Sequence, residues 1–170
     1  MTQGKTETSS AGDRFEALKP SMLNKAEKAS LIKLALTVLA ERHRAGRALT
    51  TVDDTRAFLQ LKLVDRKNEV FGALYLDNRH RVIQVAELFH GSIAGASVHP
   101  RVVVQRALEV NAAAVVFFHN HPSGVAEPSR ADEAITRRLC DALALVDVRV
   151  LDHFVIGVEE SVSFAETGRL

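Results

Sequence analysis

Cysteine, tryptophan and dense charge are what this sequence lacks. A single cysteine, Cys140, stands among 170 residues. One thiol excludes a disulfide framework and any zinc site built on several thiolates, and it fits a reducing compartment. There is no Trp, one Tyr and eight Phe, and 22 basic residues balance 21 acidic ones for a net charge of +1. Proteins that hold nucleic acid through charge and base stacking carry more of both, so composition gives DNA no support as a partner. No apolar run is long enough to cross a membrane, and the opening residues contain no apolar stretch of the secretory type. These absences leave a cytoplasmic protein with no membrane partner as the expectation. With 46% apolar and 25% charged residues, the chain has the balance of a globular protein large enough to bury a core.

The pattern along the chain predicts three regions. Residues 1–20 are polar and without periodicity, and read as a disordered tail. Residues 21–64 read as two N-terminal helices. In the first, about Leu23 to Ala45, Leu31, Ile32, Leu34, Ala35, Val38 and Leu39 share a face and Gly46 is the stop; the second, about Val52 to Leu63, is capped by Thr51. Residues 65–170 read as one domain. Strands are expected at Val70–Leu76, Arg81–Phe89, Ala113–Phe118, Val148–Gly157 and Val162–Phe164. Helices are expected from Pro100 to Val110 and from Arg130 to Leu145 behind a Ser129 cap. The fold class that follows is α/β (α+β): a mixed central β-sheet flanked by helices.

The chemistry lies in His119-Asn-His121-Pro-Ser-Gly-Val-Ala-Glu-Pro-Ser129-Arg-Ala-Asp132. Two residues apart on a strand, His119 and His121 send both imidazoles to one face. Neutral imidazole is the usual protein ligand for zinc, and Asp132, in the first turn of the next helix, can supply a third donor. Three protein ligands and one open position make a catalytic zinc site, whose water has a pKa near 7. Two histidines and a carboxylate also suit iron(II). A His-x-His alone is more often two strand-end histidines, and Ser129 alone is a helix cap.

His-x-His, seven residues, Ser, two residues, Asp is similar to the signature of JAMM (MPN/JAB) metalloproteases. The match is closer to the RadC-like branch, through Gly91-Ser92, Ser97-Val-His-Pro-Arg101, Asn111-Ala-Ala, His119-Asn-His-Pro-Ser-Gly124, Pro128-Ser129, Asp132 and Leu151-Asp-His153, in that order. The resemblance covers about Asp65 to Leu170. It implies the JAMM/MPN (cytidine-deaminase-like) architecture and one Zn2+ per chain on His119, His121 and Asp132. It also implies Glu69 as general base and Ser129 as hydrogen-bond donor to the reaction intermediate. The activity it implies is hydrolysis of a peptide or isopeptide bond in a substrate the sequence does not identify. RadC-like proteins are often described as DNA repair proteins. The alternative is therefore a metal-stabilised DNA- or protein-binding module in repair or mobile-element maintenance, without hydrolysis. A metal-dependent nuclease on the same site is a third reading.

The upstream 65 residues show no helix-hairpin-helix of the kind longer members carry. Val102, where the branch commonly has Glu, and Val125-Ala-Glu127, where it commonly has Asp and Pro, depart from the pattern without touching the expected ligands. HNH nucleases spread their motif over a ββα unit, and zinc deaminases need His-x-Glu with two cysteines, so neither matches. His99 and Arg101 stand open between closing a turn and a role near the substrate. Asp152-His153 stands open between a self-satisfied polar pair and a role behind the metal ligands. His43, His80 and His90 read as surface or packing residues, and Cys140 as packing. Oligomeric state is not encoded in any pattern found.

Overall fold

The computed structural model describes residues 15, 18–42, 51–63, 66–91 and 97–170. Most of the predicted tail, the Gly46 helix stop and Ser92 lie outside them. Two compact units divide the chain, residues 1–34 and 35–170. The first contains a 3-10 turn at Pro20–Met22 and the start of helix α1, Lys25–Arg42. Asn24 caps α1. Its Oδ1 accepts from the amides of Ala26 and Glu27, and Glu27 accepts from the Asn24 amide at 2.8 Å, a reciprocal box that satisfies the orphan donors of a first turn. Leu31, Ile32, Leu34 and Val38, expected on one face of this helix, are exposed.

Everything that positions the site lies in the second unit. The elements are α2 (Val52–Leu63), β1 (Val70–Leu76), β2 (Val82–His90), α3 (Pro100–Glu109), β3 (Ala114–Asn120), α4 (Arg130–Ala144), β4 (Arg149–Ile156) and β5 (Ser161–Ser163). They build the predicted mixed sheet, in order β2-β1-β3-β4-β5. Among the described strands only β3 and β4 run parallel, joined through α4, because parallel neighbours need a crossover long enough to return the chain to the same end. β1 and β2 form a hairpin. Asp77 Oδ1 accepts from the amides of Arg79 and Arg81 and so holds the turn closed. The interior strands β1 and β3 are buried at every residue, which is why Val-Phe-Gly-Ala-Leu-Tyr-Leu and Ala-Val-Val-Phe-Phe read as continuous apolar runs rather than as alternation.

Side-chain alternation divides the core. Phe118, Val116 and Ala114 of β3 pack with Phe58, Leu59 and Leu63 of α2. Phe117 and Val115 face the other way, onto Val103 and Ala107 of α3 and Leu139 and Leu143 of α4. Each such Phe or Leu contributes roughly 1.5–3 kcal/mol by leaving water. Gly72 is required where β1 crosses Phe118. A Cβ there would stand 2.3 Å from the Phe118 ring and 2.5 Å from the Ala86 carbonyl oxygen. No helix among the described residues is long and apolar enough to cross a membrane.

Candidate metal centre

β3 runs two residues further than its apolar run predicts. His119 and Asn120 stay in the ladder, opposite Val155 and Ile156 of β4, and His119 also faces Phe71 of β1. His119 is therefore a residue of the sheet, held on both sides. Its ring stacks on Phe71 with centroids 6.2 Å apart and planes 17° from parallel. His121 follows at the carboxyl end of β3, where open α/β sheets place their sites, and its amide donates to the Ile156 carbonyl at 2.9 Å.

After His121 the loop turns through Gly124, whose φ of 89° is a left-handed conformation suited to glycine. The Val125 carbonyl then comes back to 2.8 Å from His121 Nδ1. A carbonyl only accepts, so Nδ1 carries a hydrogen, and in the neutral ring Nε2 is the lone pair that faces the site. Ser129 caps α4 as predicted. Its Oγ accepts from the Asp132 amide at 3.1 Å, and Asp132 Oδ2 accepts from the Ser129 amide at 2.7 Å and from the Ser129 hydroxyl at 2.6 Å. This capping box turns the Asp132 carboxylate toward the strand end.

Three donors converge. His119 Nε2 lies 3.0 Å from His121 Nε2 and 3.3 Å from Asp132 Oδ1, and His121 Nε2 lies 3.5 Å from Asp132 Oδ2. A tetrahedral zinc with bonds of ~2.0–2.1 Å holds its ligand atoms about 3.3–3.4 Å apart, close to these separations, in which each imidazole meets a different oxygen of the carboxylate. Among the described residues His119, His121 and Asp132 form a group that could hold a metal. Side-chain exposure rises from 1% at His119 through 14% at Asp132 to 19% at His121, so the centre is closed on the sheet side and open to solvent on the other.

The electrostatics reflect the same crowding. Burial works to raise the Asp132 pKa, but the contacts with His119 and His121 and the Ser129 hydroxyl hold its carboxyl well below the usual carboxylate range. His121 is raised, first by its bond to Asp132. Burial opposes this, while the Val125 carbonyl and the charges of Asp132 and Glu69 add to it.

Glu69 sits immediately before β1. Asn120 fixes its neighbours: the buried Asn120 side chain accepts from the Val70 amide at 2.8 Å and donates to the Asn68 carbonyl at 3.2 Å. The Glu69 carbonyl accepts from the Gly91 amide at 2.8 Å. The middle residue of His-Asn-His thus faces away from the two imidazoles and holds the segment that carries Glu69. The sequence reading passed over Asn120; a buried amide between two outward-turned histidines was the available signal.

Asp152 and His153 are not a self-satisfied pair, because successive strand residues point to opposite faces. The Asp152 carboxylate accepts from the Ser163 hydroxyl and from the amides of His153 and Ala165. The His153 ring lies on the other face, 2.8 Å from His119 Nδ1 and 2.7 Å from the Thr136 hydroxyl. Burial pushes the His153 pKa well below its ordinary value, and the neighbouring His119 adds to this. Thr136 was missed as well, although it is one helical turn beyond Asp132. His99 sets its ring edge-on to Phe89 with centroids 5.9 Å apart, and Arg101 is exposed in the first turn of α3; neither enters the donor group. Cys140 is half-buried on α4, and burial raises its thiol pKa, in keeping with a packing role.

Comparison with known proteins agrees with this architecture. The RadC-like JAB domain matches residues 49–169. A UPF0758 protein of Thioalkalivibrio sulfidiphilus is 62% identical over 141 residues, 83% of this chain and 63% of that protein. Similar proteins of Vibrio parahaemolyticus, 58% identical over 82% of this chain and 62% of the relative, and of Marinobacter nauticus, 59% identical over 81% and 61%, carry the same family designation. The chain spans less than two thirds of the length of these relatives. Since the match takes in the sheet, the ligand loop and α4 together, the chain belongs to the RadC-like JAB domain family.

Proposed function

We propose that this domain is a zinc-dependent metallohydrolase that cleaves a peptide or isopeptide bond, acting in the cytoplasm. The observation that supports this most is the meeting of two imidazole Nε2 atoms and one carboxylate within 3.0–3.5 Å of one another on a solvent-open edge. His119, His121 and Asp132 would hold the ion. When bound, it supplies Lewis acidity toward a carbonyl and lowers the pKa of water in the open position to about 7.

The remaining steps belong to the chain. Glu69, near enough to add to the electrostatic pull on His121, accepts the proton of the attacking water and delivers it to the leaving amine. Asn120 keeps that carboxylate in place through Asn68 and Val70. Ser129, on the rim of the site, donates its hydroxyl hydrogen to the developing oxyanion. To do so it releases Asp132 Oδ2, its present acceptor.

The test is Glu69→Gln in protein loaded with zinc and presented with peptide and isopeptide substrates. Bound zinc at the wild-type level with turnover abolished is the expected result. Full activity in Glu69→Gln would remove Glu69 as the base. A defined partner bound equally by both proteins, with no cleavage by either, would favour the metal-stabilised binding module.

A further inference from the structure

His119 lacks the carbonyl or carboxylate that usually fixes a metal-binding imidazole from behind. Its Nδ1 meets another imidazole, His153 Nε2, at 2.8 Å. Which nitrogen of His119 carries hydrogen is settled from the far end of a chain of bonds. The Thr136 hydroxyl lies 2.6 Å from the Asp132 carbonyl oxygen, which only accepts, so the hydroxyl hydrogen is spent there. The same oxygen lies 2.7 Å from His153 Nδ1 and can only accept from it. His153 therefore carries a hydrogen on Nδ1.

Its ring has no exposure and is surrounded by Phe71, Phe117 and Phe164, with centroids 5.5, 6.0 and 4.8 Å away. Such a setting keeps the imidazole neutral, and its Nε2 is then a lone pair. His119 Nδ1 must donate to it. A neutral His119 with hydrogen on Nδ1 presents a bare Nε2 to His121 and Asp132.

We propose that Thr136 and His153 are positioning residues that lock His119 in the tautomer able to bind a divalent metal, through a relay anchored on the backbone carbonyl of Asp132. The relay joins two of the expected ligands, so the helix that brings the Asp132 carboxylate also sets the His119 tautomer. This rests on the metal-centre reading.

The test uses zinc affinity, by competition with a chromophoric chelator, together with ring-nitrogen NMR of metal-free protein. The wild-type spectrum is expected to show His119 with hydrogen on Nδ1. His153→Phe keeps the bulk and removes the acceptor, and is expected to lose roughly 10–100-fold in zinc affinity and to show mixed His119 tautomers. His153→Gln, whose amide oxygen can accept from His119 while its NH2 donates to Thr136, is expected to recover most of that affinity. A folded His153→Phe protein with wild-type affinity would overturn the proposal. So would a wild-type spectrum with the His119 hydrogen on Nε2, a result that needs no variant to fold. Wild-type protein that takes up no zinc would instead overturn the metal reading itself, and the wild-type titration alone reveals that.

Discussion

Asn120→Ala separates the scaffold of the site from its metal. Asn120 is 3% exposed and makes two bonds to the segment bearing Glu69. Removing the side chain leaves the buried Val70 amide without an acceptor, at a cost of about 1–3 kcal/mol. The second bond, to the exposed Asn68 residue, can be replaced by water and adds about 1 kcal/mol. The sum is about 2–4 kcal/mol. At ~2–4 °C per kcal/mol for a chain of this size, the melting temperature should fall by at least ~4 °C. The two imidazoles lie on the opposite face of β3, so zinc stoichiometry should survive while Glu69 loses its support and turnover falls. Asn120→Asp sharpens the test: one oxygen still accepts from Val70, but the other faces the Asn68 carbonyl, acceptor against acceptor, so it should be no better than Ala. Thermal unfolding read by circular dichroism, with zinc content measured on the same samples, decides the matter. An Asn120→Ala protein that melts with the wild type would refute the reasoning, as would a folded variant that had lost its zinc.

Other outcomes follow from the same structure. Ser129→Ala removes a helix cap and should cost ~0.5–2 kcal/mol in a denaturant titration; if Ser129 also donates to the oxyanion, turnover drops ~100-fold or more at unchanged zinc content. Gly72→Ala forces a Cβ onto the Ala86 carbonyl and the Phe118 ring and should destabilise by about 1–3 kcal/mol or more; a neutral result would mean that β1 and β3 lie further apart. In metal-free protein the raised His121 contributes stability that is full below its ordinary pKa of about 6.5 and is lost as pH rises through its folded value. The depressed Asp132 contributes stability present above about 3.9 and lost as pH falls further. Zinc must displace the His121 proton, so zinc affinity should climb with pH through that raised value. An affinity flat between pH ~6 and ~8 would contradict the shared site.

Much of this molecule was legible in the sequence because its signals are local. Ser129 reads as a cap from its position before a helical pattern, and it caps. The apolar runs at Val70 and Ala113 read as strands, and both are strands buried at every residue. The convergence of His119, His121 and Asp132 follows from strand alternation plus one turn of helix, with the spacing of a resembled family to choose among carboxylates. What escaped depends on pairing between distant segments. Nothing near position 153 says that β4 lies beside β3 in the register that brings His153 to Phe117, or that Thr136 faces it. The Asp152-His153 pair looked self-contained because sequence adjacency hides that neighbours on a strand point apart. In α1 the periodicity marked a helix, and the helix is there, but Leu31, Ile32, Leu34 and Val38 are exposed, since a periodic stripe specifies a face and not its partner.

The most direct test of the account is metal content by mass spectrometry, on protein purified without chelator or His-tag beside its Asp132→Ala form. Close to one zinc per chain, lost in Asp132→Ala, is the predicted result. Wild-type protein that holds no metal, even after zinc is added, would contradict it.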